Sequence, residues 1–200
     1  SLNVLSDFLD IYIKKIINII HILPFYPSSS DGGFAVTDFF KIDSKHGNWN
    51  DLNKLSDNYK IMSDVVLNHS SSKSKWFKNF LENYGEGKDY FLTVEKKFNT
   101  QHIVRARSHK LLQKFKTKNG YKLVWCTFSR DQVDFNFKNP KVLFAFIKLI
   151  LFLSSKGVKV FRFDAVAFIW KRQETNCVNL DQTHAIVRLF RTLLGLISNE

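Results

Sequence analysis

Two charged residues lie two positions apart in an apolar, β-branched segment, residues 158–168. Arg162 and Asp164 are predicted to project from the same side of a buried strand there, because side chains alternate along a strand. Burying charges is costly unless they are paired. An adjacent Arg would lower the pKa of the carboxylate and keep it ionised, as a nucleophile requires. A structural ion pair at a strand end explains this segment equally well.

Polar residues also follow two other predicted strands. Asp31 lies in the Pro-, Ser- and Gly-rich loop after the strand at 17–23, and Asn68 and His69 follow the strand at 60–67. The third strand ends with Arg162 and Asp164. Functional sites in parallel α/β sheets and barrels collect beyond the carboxyl ends of the strands. We therefore expect all five side chains at one face.

Predicted helices alternate with these strands. Helical spacing of apolar residues covers 2–19, 50–59, 139–153 and 183–194, with Asn48 or Asn50 as the cap of the second helix and Pro140 in the first turn of the third. The alternation predicts the α/β class with a parallel sheet. Residues 70–134 are polar and irregular in pattern, which predicts a small inserted subdomain.

Composition narrows the class of protein. The net charge of +12 permits a nucleic-acid-binding protein, a distant alternative, but the lysines are scattered and no nucleic-acid motif is present. The one dense basic stretch, 96–130, contains no Asp or Glu. Cys126 and Cys177 have no metal-site spacing and form no disulfide framework, which suits the reducing cytoplasm. The apolar run 142–153 is too short to span a membrane.

Several motifs resemble those of one enzyme family. Residues 64–69 (DVVLNH) and 161–167 (FRFDAVA) resemble two strand-end motifs of glycoside hydrolase family 13, the α-amylase superfamily. Residues 21–34 (HILPFYPSSSDGGF), 125–134 (WCTFSRDQVD) and 182–184 (QTH) are similar to the sucrose phosphorylase branch. The resemblance implies a (β/α)8 TIM barrel with a small domain inserted after the third strand.

On that template the chain is expected to be an internal fragment. The barrel part would comprise 1–69 and 135–200, with 70–134 as the inserted domain. The three predicted strands would be barrel strands two to four, with strand one and strands five to eight absent. The general acid of the family, a Glu after strand five, would then be missing. We therefore expect the fragment alone to be inactive, and Glu200 is not assigned the acid role.

The resemblance also implies roles for single residues. Asp164 matches the carboxylate that attacks the anomeric carbon and forms a covalent glucosyl-enzyme. Arg162 matches the residue that orients this carboxylate. Asp31 and His69 match groups that bind glucose hydroxyls, and Phe34 would form an apolar wall against the sugar ring.

Further residues match supporting positions. Arg107 matches a phosphate ligand, although Ala106 replaces a Pro of the family motif, and an exposed loop Arg is an equally good interpretation. Asp64 and Asn68 match positions that support the site. Asn68 also matches a calcium ligand of many α-amylases, but we can name no further ligands for it, so we expect no metal. No cofactor is expected beyond inorganic phosphate as co-substrate.

The predicted activity is therefore glucosyl transfer from an α-glucoside, of the sucrose or sucrose 6'-phosphate type, to phosphate by a retaining mechanism. Fructose, fructose 6-phosphate, glycerol and glycerate all remain possible leaving groups. The alternative is a hydrolase or transglucosylase of the same superfamily, of the α-glucosidase or amylosucrase type. The expected partners are a small sugar and phosphate, with no nucleic acid and no membrane, and the oligomeric state stays open.

Overall fold

The computed structural model describes residues 1–13, 16–95 and 98–198. Its helices and strands in chain order are α1 (Leu2–Tyr12), β1 (Ile19–Ile22), α2 (Trp49–Asn58), β2 (Lys60–Val66), β3 (His69–Ser71), α3 (Lys75–Glu82), β4 (Thr93–Val94), β5 (Leu112–Thr117), β6 (Gly120–Trp125), β7 (Gln132–Asp134), α4 (Pro140–Ser155), β8 (Val158–Asp164) and α5 (Asp181–Ser198). Short 3₁₀ helices form at Asp31–Gly33 and Val166–Phe168.

Three strands form a parallel sheet in the order β1-β2-β8. The register places Ile20 beside Ile61 and Val66 beside Asp164, so the carboxyl ends of β2 and β8 are level. Parallel neighbours need crossover connections, and α2 and α4 supply the helices that precede β2 and β8. Val65 in the central strand is fully buried, as expected for a strand covered on both faces. The predicted α/β class is confirmed.

The helix ends follow from their capping residues. Asn48 accepts hydrogen bonds from the backbone of Asn50 and Asp51, and the Asp51 carboxylate accepts one from Asn48 in return. Asn139 caps α4 directly before Pro140. After α4 the chain turns at Gly157 with φ 91°, where an added Cβ would lie 2.5 Å from the Ser56 hydroxyl. Only glycine fits this close approach between α2 and α4.

Two expectations about these elements are wrong in part. The helix predicted over 2–19 ends at Tyr12, and β1 begins at Ile19 because the β-branched residues there favour a strand. The strand predicted as buried, β8, is largely half-exposed, and Arg162 is exposed. The reason is that, in the described part of the chain, β8 pairs with β2 alone and lies at an edge of the sheet.

Residues between β3 and α4 form two smaller antiparallel sheets, β3-β7 and β4-β6-β5. An aromatic cluster joins α3 to them, with the Phe77 ring 4.9 Å from both Phe91 and Phe115. The proposed limits of an inserted domain, 70–134, stay a prediction. Within the described residues, none of the helices combines the length and apolar character needed to cross a bilayer.

Candidate functional site

A charged cluster at the carboxyl ends of β2 and β8 centres on Asp64. Asp64 lies beside Arg162 in the strand register, and the Arg162 guanidinium donates a hydrogen bond to Asp64 Oδ1. His21 Nε2 lies 2.9 Å from Asp64 Oδ2. Asp64 is fully buried, so these contacts compensate the cost of its charge. The position that was predicted to support the site therefore fixes the guanidinium of Arg162.

Arg162 also approaches Asp164, with Nη2 3.4 Å from Oδ1. Both side chains lie on the same side of β8, as alternation along a strand predicts. The Asp164 side chain is 19% exposed, so its carboxylate is partly accessible at the end of the strand. Ala165 follows with φ 52°, in the left-handed region, and its backbone N–H donates to Asp164. This turn ends the strand directly after the carboxylate.

The electrostatic environment of Asp164 differs from the sequence-based prediction. Burial raises the pKa of Asp164, and the nearby charges of Asp64 and Asp31 raise it further. The Arg162 guanidinium lowers the pKa but does not compensate these effects. The prediction that Arg162 holds this pKa below its ordinary value is therefore wrong. The physical reason is that Arg162 shares its charge with Asp64 and is 42% exposed, so solvent screens its field.

Asp31 and His69, both predicted to bind the sugar, are joined by Gln132. The Gln132 amide nitrogen lies 2.8 Å from Asp31 Oδ2 and 3.1 Å from His69 Nε2. Asp31 is exposed in the loop after β1, whereas His69 and Gln132 are buried. The charge of Asp31 also acts on Asp164. The loop after β1 and the end of β8 therefore face the same space.

His69 is held as a neutral imidazole. Burial lowers its pKa to about 4, while the charges of Asp134 and Asp31 act in the opposite direction and Lys171 adds to the lowering. The ring lies 5.1 Å from the ring of Phe128. The two ring nitrogens of His69 lie 3.3 Å from Asn68 Nδ2 and 3.1 Å from Gln132 Nε2, so the neutral ring has a fixed orientation.

A buried ion pair lies behind His69. Asp134 accepts hydrogen bonds from Lys171 Nζ at 2.5 Å, from Asn68 Nδ2 at 2.9 Å and from both the backbone and the hydroxyl of Thr127. Lys171 Nζ also donates to Asn68 Oδ1 at 2.7 Å. Burial lowers the pKa of Lys171, and Asp134 opposes this effect. The side-chain oxygen atoms of Asn68 and Asp134 thus already bind a cation, the Lys171 ammonium.

The remaining predicted residues differ in their placement. The Phe34 ring lies 6.0 Å from the guanidinium carbon of Arg162, so it borders the charged cluster. Arg107 is exposed in the loop between β4 and β5 and, in the part of the chain that the structure describes, lies apart from the contacts that join the other site residues. Glu200 lies outside the described residues.

Sequence reasoning missed several residues of this arrangement, His21 and Asp134 as well as Gln132 and Lys171. Gln132 belongs to the 125–134 motif, where a buried Gln alternating with a buried Asp on a short strand signals a specific hydrogen-bonding role. Lys171 gave no comparable signal, because it is one of many lysines and its burial depends on contacts distant in sequence.

The arrangement can bind a polyhydroxylated ring and attack it. An open carboxylate at a strand end is suited to nucleophilic attack on an electrophilic carbon. Asp31 and His69 provide polar groups of fixed position, and Phe34 provides an apolar surface. A few placed polar groups beside an aromatic ring are typical of small-molecule sites.

Comparison with known proteins relates this geometry to a family. The family model for the alpha amylase catalytic domain matches residues 2–191. Glucosylglycerate phosphorylase of Spirochaeta thermophila is 43% identical over 189 residues, which cover 94% of this chain and 32% of that protein. Sucrose 6(F)-phosphate phosphorylase of Thermoanaerobacterium thermosaccharolyticum is 31% identical over 192 residues, which cover 88% of this chain and 39% of that protein.

Solved structures show the same fold. The crystal structure of sucrose 6F-phosphate phosphorylase from Thermoanaerobacter thermosaccharolyticum superposes with a TM-score of 0.91 at 27% identity. The match covers 98% of this chain and 43% of that chain. The chain thus spans about a third of the length of the curated relatives it matches.

Proposed function

Because this chain belongs to the alpha-amylase catalytic domain family, we propose that it forms one side of the active site of a retaining α-glucosyl-transferring enzyme of the sucrose phosphorylase type. The observation that carries the proposal is the placement of Asp164, open at the carboxyl end of a parallel strand and 3.4 Å from Arg162. Strand ends of this kind hold the catalytic residues of TIM-barrel enzymes.

In the first step Asp164 attacks the anomeric carbon of the glucoside. The bond between this carbon and the leaving-group oxygen breaks, and an acidic carboxyl group donates a proton to that oxygen. In retaining enzymes the two carboxyl groups lie about 5–5.5 Å apart. We assign the acid to a part of the enzyme outside this chain, because the chain spans only about a third of its curated relatives.

In the second step an oxygen of hydrogen phosphate attacks the same carbon and displaces Asp164, which yields α-glucose 1-phosphate, and the proton of the phosphate passes to the carboxylate that acted as the acid in the first step. Asp31 and His69 hold glucose hydroxyls, and these hydrogen bonds strengthen as the ring flattens toward the transition state. Arg107 is proposed to bind phosphate, since a guanidinium matches the geometry of phosphate oxygens. This role requires its exposed loop to approach Asp164.

The leaving group is proposed to be anionic, as glycerate or a phosphorylated sugar would be. Residues 98–130 carry several Lys and Arg and no Asp or Glu, which favours a negatively charged ligand. Among the relatives, one is named a glucosylglycerate phosphorylase and another a sucrose 6(F)-phosphate phosphorylase. Glucosylglycerate is therefore the first substrate to test, followed by sucrose 6'-phosphate.

We propose that the enzyme needs phosphate but no metal or other cofactor. The Lys171 ammonium is bound by the oxygen atoms of Asn68 and Asp134, where a calcium ion would need free ligands. The two cysteines are free thiols and buried, which fits a reducing compartment, so the cytoplasm is the proposed location.

The test uses the full-length enzyme with glucosylglycerate, sucrose 6'-phosphate or sucrose, each with and without phosphate. We expect glucose 1-phosphate only when phosphate is present. Asp164→Asn should reduce its formation by about a thousandfold or more, because the nucleophile is lost. Asp57→Asn, at an exposed aspartate on α2, is the matched control and should retain activity.

Two outcomes contradict the proposal. Release of glucose at equal rates with and without phosphate, with no glucose 1-phosphate, would identify a hydrolase. An Asp164→Asn variant that keeps more than a tenth of the activity would exclude this residue as the nucleophile.

A further inference from the structure

One buried side chain joins the two groups that are proposed to hold the sugar. Asp31 lies on the loop after β1 and His69 at the start of β3, so no single element fixes their spacing. The amide nitrogen of Gln132 contacts both, at 2.8 Å and 3.1 Å. We propose that Gln132 is a positioning residue that holds Asp31 and His69 in the arrangement that binds glucose hydroxyls. This inference rests on the proposed function.

The position of Gln132 is fixed by its strand. β7 pairs with β3 in antiparallel register, with Gln132 opposite Ser71 and Asp134 opposite His69. Gln132 is only 2% exposed. Its amide orientation is fixed as well, because the Asp31 carboxylate can only accept hydrogen bonds and so must face the NH₂ group. The side chain therefore has one arrangement that satisfies its surroundings.

The neighbouring residue, Asp131, secures the loop that carries Asp31. Its carboxylate accepts hydrogen bonds from four serine hydroxyls, two on the loop after β1 and two around the end of β3: Ser29 at 2.5 Å, Ser30 at 2.6 Å, Ser71 at 3.1 Å and Ser72 at 2.8 Å. Burial raises the pKa of Asp131, but these hydrogen bonds outweigh it and the pKa is lowered. The ionised carboxylate thus ties the Asp31 loop to β3 beside Gln132.

The loop needs such support because of its backbone. Asp31 has φ 57°, in the left-handed region that non-glycine residues rarely adopt. A residue in this region persists only when its surroundings determine it. Asp131 binds the hydroxyls of Ser29 and Ser30, directly before Asp31, and Gln132 binds the Asp31 side chain. The two adjacent residues therefore fix both the backbone that leads into Asp31 and its carboxylate.

The charges that surround Gln132 also require an uncharged side chain at this position. The charged groups that act on His69 are Asp134 and Lys171 from one side and Asp31 from the other. A carboxylate in place of the amide would face the Asp31 carboxylate at hydrogen-bonding distance. It would also place a new negative charge beside the His69 ring.

The experiment compares Gln132→Glu and Gln132→Leu in the full-length enzyme. Gln101→Glu is the matched control, because Gln101 is exposed in the same segment of the chain and the substitution changes the net charge equally. The readouts are the His69 pKa, from NMR titration of isotope-labelled histidine, the dissociation constant of glucose, and kcat/KM for phosphorolysis.

We expect the His69 pKa to rise by about 1–3 units in Gln132→Glu and to stay unchanged in Gln101→Glu, since only the first places a charge beside the ring. Gln132→Leu should weaken glucose binding and lower kcat/KM by about 10- to 100-fold through misplacement of Asp31 and His69. The rise in the His69 pKa tests the contact between the two side chains, and the glucose dissociation constant tests the positioning role, because a merely structural role would lower the stability of Gln132→Leu without weakening glucose binding by the folded variant.

The inference is overturned if the His69 pKa in Gln132→Glu equals that in the control. It is also overturned if both Gln132 variants bind glucose within threefold of the wild type. Failure of the proposed function has a different signature: a wild type that binds glucose but never forms glucose 1-phosphate. In that case, weaker glucose binding by Gln132→Leu still supports the positioning role.

Discussion

Asp64 and Asp164 are both aspartates at the carboxyl ends of neighbouring strands, yet their surroundings suit them to different work. Asp64 is fully buried and binds both Arg162 and His21. Asp164 contacts the other terminal nitrogen of the same guanidinium, Nη2, at 3.4 Å and remains partly exposed. An occupied carboxylate can position its partner, whereas an open one can attack a substrate. The residue type alone does not distinguish these roles.

Because His69 is buried in its neutral form, the free energy of unfolding should decrease as the pH falls below about 6.5. Its pKa is about 4 in the folded chain, against an ordinary value of 6.5. The unfolded chain therefore takes up the proton first as the pH falls. The free energy of unfolding should decrease between pH 6.5 and 4, by up to about 3 kcal/mol from this residue, with no contribution above that window.

Chemical denaturation of the full-length enzyme at several pH values measures this effect. In His69→Gln the free energy of unfolding should change less between pH 6.5 and 4 than in the wild type, because glutamine does not titrate. His46→Gln, at an exposed histidine before α2, should leave the profile unchanged. Identical profiles for wild type and His69→Gln would show that His69 is not the group responsible.

At the level of elements, the sequence predicted what local physics determines. β-Branched apolar segments located β2 and β8, and capping residues located the starts of α2 and α4. Because functional sites collect at the carboxyl ends of parallel strands, Asp31, His69 and Asp164 were expected at one face. The raised pKa of Asp164 could not be predicted, because it depends first on burial of the carboxyl group and then on the charges of Arg162, Asp64 and Asp31, which come from three elements. The burial of Lys171 likewise depends on Asp134, which comes from another element.

The ion pair of Lys171 and Asp134 connects β7 to the loop after β8. Removing one partner of a buried pair leaves the other charge uncompensated, which costs about 3–5 kcal/mol. Lys171→Met should therefore lower the free energy of unfolding by about this amount. The exposed pair of Lys141 and Asp89 is the matched control, and Lys141→Met should cost at most about 1 kcal/mol.

The two variants are compared in the same chemical denaturation experiment. A cost for Lys171→Met no larger than that for Lys141→Met would show that the buried pair does not hold these elements together. Added calcium should not stabilise the wild type, because Lys171 already binds the oxygen atoms of Asn68 and Asp134.

On the scale of the whole molecule, both edges of the parallel sheet are open. Among residues 1–13, 16–95 and 98–198, β1 and β8 each pair with one strand, β2, so each presents unpaired backbone groups on its outer side. Large apolar side chains are also exposed, among them Ile19 on β1, Ile11 on α1 and Leu196 on α5. An apolar groove also runs along β8 between α4 and α5, lined by residues that include Leu151, Phe163 and Leu194.

A polypeptide of residues 1–200 alone should therefore self-associate and show no glucosyl transfer. Exposed strand edges and contiguous apolar surface promote association, and the acid that protonates the leaving group is proposed to belong to a part of the enzyme outside this chain. Light scattering after size-exclusion chromatography and a glucose 1-phosphate assay measure both properties, with the full-length enzyme as the control. A monomeric preparation that unfolds cooperatively and forms glucose 1-phosphate would contradict this prediction, because the 200 residues would then close their own core and supply their own acid.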